Sequence, residues 1–109
     1  MSIVLRNIEN AGDSRHLEAS MNEAGDLVVE GHDLGSGVSS VFGPDVKEYE
    51  WVYTIKRESL PLLIKALGGD ERDDALQVMA EKCKGEEALE IGMVISENDV
   101  PHEFWNRMG

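Results

Sequence analysis

The side chains that could perform chemistry are few in this sequence and lie far apart along it. The histidines His16, His32 and His102 have no second ligand at a metal-site spacing, apart from the neighbouring pair of His32 and Asp33. Adjacent residues of an extended chain point in opposite directions, so this pair is a poor chelate. Cys83 lies on the apolar stripe of a predicted helix, which indicates a small buried side chain rather than a nucleophile. We therefore expect no metal site and no catalytic thiol.

Two other segments resemble ligand-binding loops only in part. The run GSGVSS at 35–40 lacks the lysine and the third glycine of a phosphate-binding loop, and Ser36 lacks the G-x-S-x-G pattern of a hydrolase nucleophile. The acidic run at 70–74 departs from the calcium-loop pattern, which needs glycine at its sixth position and glutamate at its twelfth. Capping of a helix explains this run, so we expect no catalytic and no cofactor-binding residue.

The net charge of the chain disfavours some classes of binding partner. With 22 acidic and 10 basic residues, the formal charge is −12, so nucleic acids and anionic membranes would repel it. An attractive partner would be a basic protein. Four glutamates on the outward faces of predicted strands form the candidate partner-binding surface, and the alternative is that they only keep the protein soluble; they are Glu18, Glu30, Glu48 and Glu50.

The segment 48–69 contains the clearest structural pattern, a strand that passes into a helix. Large aromatic and β-branched residues stand at every second position of 49–55, which predicts a strand with Trp51 in the core and Glu48 and Glu50 on the wet face. Aliphatic residues at i, i+3, i+4 and i+7 within 60–67 predict a helix that covers the apolar face of this strand. Gly68 and Gly69 provide its left-handed exit.

The remaining patterns extend this arrangement to an α+β fold, with an antiparallel sheet of four or five strands and about three helices packed on one face. We expect one domain over residues 1–109. A short helix within 36–42 would have Ser36 as N-cap, and the helix at 70–84 would have Asp70. Residues 86–97 also fit a strand, but Asn98 as a left-handed exit and Pro101 beyond it favour a helix. The predicted strands are 2–8, 15–21, 26–31, 47–56 and 102–107, and the predicted helices are 59–67, 70–84 and 86–97.

Cysteine content and apolar runs bear on location. The single cysteine allows no internal disulfide, and the sequence has neither a signal-peptide pattern nor an apolar run near the ~20 residues that span a bilayer. We therefore expect a cytoplasmic protein that does not enter a membrane.

The order of these segments resembles that of a group of small, uncharacterised bacterial proteins of about this length. The resemblance rests on EGHDLGSGVSSVFG, EYEWVYTI, ESLPLLIKALGG and VPHEFWNRMG, and it covers nearly the whole chain. Some small acidic bacterial proteins of this kind are similar to immunity proteins or antitoxins, which neutralise a toxin by binding it. The resemblance thus implies a non-catalytic interaction protein and carries no catalytic residues; the alternatives are a regulatory or scaffold module, or a small enzyme.

Overall fold

The computed structural model describes residues 2–84 and 89–109. Its five strands form one antiparallel sheet in the order β1-β2-β3-β4-β5, so every strand lies beside its neighbour in sequence. The α+β architecture predicted from the sequence is confirmed. The elements are β1 (Ser2–Asn10), β2 (Asp13–Met21), β3 (Leu27–Leu34), α1 (Ser36–Phe42), β4 (Glu48–Ile55), a 3-10 turn (Arg57–Ser59), α2 (Leu60–Ala66), α3 (Ala75–Lys82), α4 (Ile91–Glu97) and β5 (Glu103–Met108).

The first hairpin shows why the early strands are longer than predicted. Asn10 pairs with Asp13, so the loop contains only Ala11 and Gly12, and both have positive φ, at 51° and 88°. Two residues of positive φ give a turn whose twist matches that of paired strands. The ladder therefore continues to the end of each strand.

The two faces of the sheet differ sharply in composition. Leu27 and Val29 on β3 are fully buried against the helices, while Glu30 on the same strand is exposed. This alternation follows from the two-residue period of a strand. The core consists mainly of aliphatic side chains from the helix-covered face of the sheet and from the helices themselves. They include Leu17, Ala19, Ile55, Leu60, Leu63, Ile64, Leu67, Leu76, Met79, Ile91 and Ile95.

The helices that cover the sheet are short. Leu63 and Ile64 lie on the buried stripe predicted for α2, and Gly68 (φ 91°) ends this helix, with the N–H of Gly69 donating to the Ile64 carbonyl at 2.9 Å. That bond satisfies a carbonyl which would otherwise be free at the helix end. None of the helices in the described ranges has the length and apolar character that crossing a bilayer requires.

Three predicted capping or exit residues are wrong by one to four positions, and α3 spans Ala75–Lys82 where a helix at 70–84 was predicted. The N-cap of α3 is Asp74 rather than Asp70, because the Asp74 carboxylate accepts from the N–H groups of Leu76 and Gln77 at 2.9 and 3.2 Å. Asp70 instead closes the preceding turn by accepting from the N–H of Arg72. Helix α1 has Gly35 as N-cap and not Ser36, and the left-handed residue after α4 is Asp99 (φ 51°) and not Asn98.

The ambiguous segment 86–97 is helical from Ile91 to its end. Helix α4 begins at Ile91, and Leu89 and Glu90 precede it without regular structure. Residues 86–88 lie outside the described residues. Ile91, Val94 and Ile95 face the core, which confirms the helix prediction for this part of the segment.

The prediction that Trp51 belongs to the core is correct for its face and wrong for its depth. Its ring packs against the core, but the residue is only half-buried because the helices leave this end of the sheet partly uncovered. The ring lies on Gly31, which is its direct partner on β3 and leaves the space that a side chain would take. Trp51 thus bridges the core and the surface.

A buried carboxylate ties the loop between β2 and β3 to the end of β4. Asp26 accepts from the backbone N–H of Arg57 at 2.9 Å, and the Lys56 ammonium lies 3.5 Å from its other oxygen. The N–H of Asp26 donates to the Asn22 side chain at 2.9 Å. The hydrogen bond from Arg57 is the main reason that the pKa of Asp26 lies below its usual value.

We expect Asp26→Asn to destabilise the protein near neutral pH and to have little effect in acid. A group whose pKa is depressed on folding stabilises the fold above its unfolded pKa, and this contribution disappears as the pH falls through the folded pKa. Urea midpoints at about pH 7 and about pH 3 would measure the change. Glu23→Gln in the same loop is the exposed control, and an equal loss at both pH values would show that the charge of Asp26 is irrelevant.

Candidate functional site

One face of the sheet carries none of the helices in the described ranges, and we call it the open face. It is formed by the outward residues of the strands, which lie in rows because the ladder runs in register. One row crosses the sheet from Glu18 to Glu30, Val52 and Trp105. The next row contains His16, His32, Glu50 and Arg107, and Glu48 lies beyond it on β4.

The four glutamates predicted as a partner-binding surface all lie on the open face. Glu18 and Glu30 are direct partners on β2 and β3, and Glu48 and Glu50 are two residues apart on β4. Glu30 is exposed and has no basic group within 4.0 Å among the described residues. Like charges directly opposite one another destabilise a sheet, so the pair of Glu18 and Glu30 costs stability.

The other two glutamates are held by side chains that the sequence did not connect with them. The Nε2 atom of His32 lies 2.8 Å from the Glu48 carboxylate and 3.5 Å from that of Glu50. The Arg107 guanidinium approaches the same two carboxylates from β5, at 3.0 Å from Glu50 and 3.8 Å from Glu48. A histidine, two carboxylates and an arginine therefore form one cluster on the open face, at the end of the sheet where β4 begins.

The electrostatics of this cluster favour the ionised form of Glu48. The pKa of Glu48 is lowered, chiefly by the hydrogen bond from His32 and next by the one shared with Glu50. A hydrogen bond to the charged form of an acid stabilises that form. Glu48 is thus maintained as an anion with an imidazole nitrogen beside it.

A shallow depression of about 300 Å³ lies between the two rows. The indole of Trp105 borders it and is 51% exposed, which places a large apolar surface next to the acidic groups. Exposed aromatic side chains beside charged groups are common in protein interfaces. The side chains that line the depression include His16, Glu30, His32, Glu50, Val52 and Trp105.

Two other residues whose side chains could react, Cys83 and His102, have structural roles. Cys83 is buried, and desolvation, with a smaller contribution from Glu90, raises the pKa of its thiol to about 11. His102 hydrogen-bonds the carbonyl of Val100 through Nδ1 at 2.9 Å. The expectation of an unreactive thiol agrees with this burial, since a thiolate is disfavoured there.

The glycine-rich run at 35–40 begins a helix whose start is already occupied by an acid. The backbone N–H of Ser36 donates to Asp13 at 2.6 Å, and the Ser36 hydroxyl lies 3.0 Å from both oxygens of this carboxylate. A carboxylate here satisfies the groups that would otherwise attract an anion. The run therefore serves to join α1 to the first hairpin.

A second groove lies on the opposite side of the sheet, beyond the edge of the helices. Its volume is about 220 Å³, and Tyr49 and Trp51 stack along it with ring centroids 5.2 Å apart. The ion pair of Arg6 and Glu90, at 3.2 Å, closes one side. The groove follows from the partial burial of Trp51 and has no cluster of acids and bases comparable to that of the open face among its described lining residues.

Sequence reasoning missed the cluster of His32 because it compared only neighbours along the chain. His32 lies directly opposite Glu50 across the β3–β4 ladder, although 18 positions separate them in the numbering. The alternation predicted for both strands could have placed them on one face. The register, which aligns the two residues, was the missing information.

Comparisons with protein-family models, with curated proteins and with solved structures found no match to this chain.

Proposed function

We propose that the protein is a non-catalytic interaction module of the immunity or antitoxin type, which binds a basic protein partner through the open face. The observation that carries the proposal is the pair of Glu18 and Glu30, which oppose each other with no lysine or arginine within 4.0 Å among the described residues. The imidazole of His16 lies 3.5 Å from Glu18, and Glu30 has no such neighbour in the part of the chain that the structure describes. A lysine or arginine of a partner, placed between these carboxylates, would relieve their repulsion and gain two charge-assisted contacts.

The surroundings of the pair support a protein partner rather than a small cation alone. Val52 and Trp105 continue the same row, so the acidic pair borders an apolar strip. Interfaces commonly combine an aromatic anchor with charged groups around it. The total charge of −12 would in addition accelerate the approach of a basic partner.

The proposal predicts that a partner captured from the native cell binds more slowly when Glu18 and Glu30 are both changed to glutamine. We expect the association rate to fall about tenfold, with a smaller change in the dissociation rate, because long-range attraction acts mainly on association. For wild type, the rate should also fall steeply from about 0.05 M to about 0.5 M salt, since added ions screen charges beyond the Debye length. Surface-plasmon kinetics would measure both effects.

A matched control removes the same charge from another surface. Glu71 and Glu81 are exposed on the side of the helices, and changing both to glutamine leaves the open face intact. Glu18 and Glu30 are better targets than Glu48 and Glu50, whose replacement would also disrupt the contacts to His32 and Arg107. If the control variant slows association equally, or if the association rate does not depend on salt, the acidic residues serve only to keep the protein soluble.

The immunity or antitoxin assignment has its own test. A gene for a toxin with a basic surface should lie beside the gene for this protein, and co-expression should relieve its toxicity. Relief that persists in the variant with both Glu18 and Glu30 replaced by glutamine would separate the assignment from the open-face mechanism.

A further inference from the structure

We propose that His32, Glu48 and Glu50 form a binding site for a divalent transition-metal cation of the zinc class. The proposal is independent of the interaction function, because it needs only these three side chains of β3 and β4. Each of them offers one donor atom, and the three donor atoms lie within 4.8 Å of one another.

The spacing of the donors suits a small cation. Zinc bonds of about 2.0 to 2.1 Å to nitrogen and oxygen imply about 3.3 Å between neighbouring ligands of a tetrahedral site. The Nε2 atom of His32 lies 2.8 Å from Glu48 and 3.5 Å from Glu50, which brackets this separation. Shifts of a few tenths of an ångström would therefore bring both carboxylates to this separation from the imidazole nitrogen, and the third separation, between the two carboxylates, is at most 4.8 Å.

The type of donor selects the metal. One imidazole nitrogen and two carboxylates are ligands that zinc accepts, and three protein ligands with water in the fourth position is a common zinc arrangement. Calcium and magnesium prefer shells of six or more oxygen ligands. Two carboxylates and one imidazole nitrogen do not provide such a shell. We therefore expect zinc to bind in preference to magnesium.

The scaffold holds the three ligands in place before a metal arrives. Glu50 is the direct cross-strand partner of His32, and Glu48 follows on the same face of β4. Both strands are interior to the sheet, with a neighbour on each side. Sites built on such strands are positioned more accurately than sites on loops, so little ordering should be needed on binding.

Arg107 already supplies a positive charge at this position. Its guanidinium lies 3.0 Å from Glu50, but its side chain is 61% exposed and can turn away into solvent. A guanidinium and a metal ion would compete for the same carboxylate oxygens. Removing this guanidinium should consequently strengthen metal binding, whereas removing a ligand should weaken it.

Titration calorimetry of the whole protein with zinc chloride would test the site. We expect binding of one zinc ion, weakened about tenfold or more by His32→Ala and by Glu50→Gln, and strengthened by Arg107→Gln. The matched control is Glu30→Gln, which removes the same charge from the same face without removing a ligand. Magnesium chloride at equal concentration should give no comparable heat.

Imidazole nitrogen resonances would locate the ion, because zinc should shift Nε2 of His32 while leaving the His102 ring unchanged. Far-UV circular dichroism of each variant would establish that it is folded. The proposal is overturned if wild type does not bind zinc, if His32→Ala binds it equally well, or if Glu30→Gln weakens binding as much as Glu50→Gln does. The last result would show that cations gather on an acidic surface without a defined site.

Discussion

Replacing Leu27 by alanine is expected to lower the free energy of unfolding by about 3 to 4 kcal/mol. Leu27 has no exposed surface and lies between Met21 and Ile55 in the ladder, beneath the helices. Truncating such a residue loses its transfer free energy and leaves a cavity that rigid neighbours cannot fill. Urea denaturation at constant m-value would measure the loss, which is a large part of the 5 to 15 kcal/mol typical of a domain.

The adjacent residue provides the control for this prediction. Val28 is on the same strand but points to the open face, where it is half-buried. Val28→Ala should therefore cost less than about 1 kcal/mol. A larger loss at Val28 than at Leu27 would mean that the two faces of β3 are exchanged.

Gly31 and Trp51 should behave as one unit. A β-carbon on Gly31 would overlap the indole of Trp51, so Gly31→Ala is expected to cost about 1 to 3 kcal/mol in wild type. Trp51→Ala alone should cost about 2 to 3 kcal/mol, below the usual range for a fully buried aromatic ring because half of the residue is in contact with water. With the ring absent, Gly31→Ala should be neutral or slightly stabilising.

A double-mutant cycle measured by urea denaturation would give the coupling between the two positions, which we expect to be about 1 to 3 kcal/mol. Gly37→Ala is the control glycine, because a β-carbon there would meet nothing within 4 Å. Additive losses at Gly31 and Trp51 would contradict the contact. In that case the cost at Gly31 would have to come from the strand backbone.

The parts of the fold that local patterns determine could be predicted from the sequence. The period of two placed Glu48 and Glu50 opposite to Trp51, and the helical period placed Leu63 and Ile64 in the core. Both patterns are predictive because burial of apolar surface is worth about 25 cal/mol per Å². A strand and a helix each bring apolar side chains to one side only when these residues recur with the period of that element. All strand boundaries were correct within three residues; the tight hairpin extended β1 and β2 by two residues each, and the largest difference is three residues at the end of β3.

The features that local patterns did not determine depend on partners distant in sequence. Asp70 and Asp74 are equally suitable as N-caps by residue type, and only the contacts of the folded turn distinguish them. The depth of Trp51 depends on how far the helices extend over the sheet. The cluster of His32, Glu48 and Arg107 depends on the register of three strands, which no single segment specifies.

The attachment of the last strand, β5, affects the charge of the open face. All six residues of β5 are exposed, so its attachment relies on the ladder to β4, on the backbone bonds between Gly109 and Glu48, and on surface contacts such as that of Arg107 with Glu50. An edge strand with so little apolar burial is among the elements that open locally at low free energy. Each opening would withdraw Arg107 and Trp105 together. The carboxylates of β4 would then lack the guanidinium that offsets their charge, and the edge of β4 would be exposed. The charge that the open face presents would then depend on the strength of the ladder between β4 and β5.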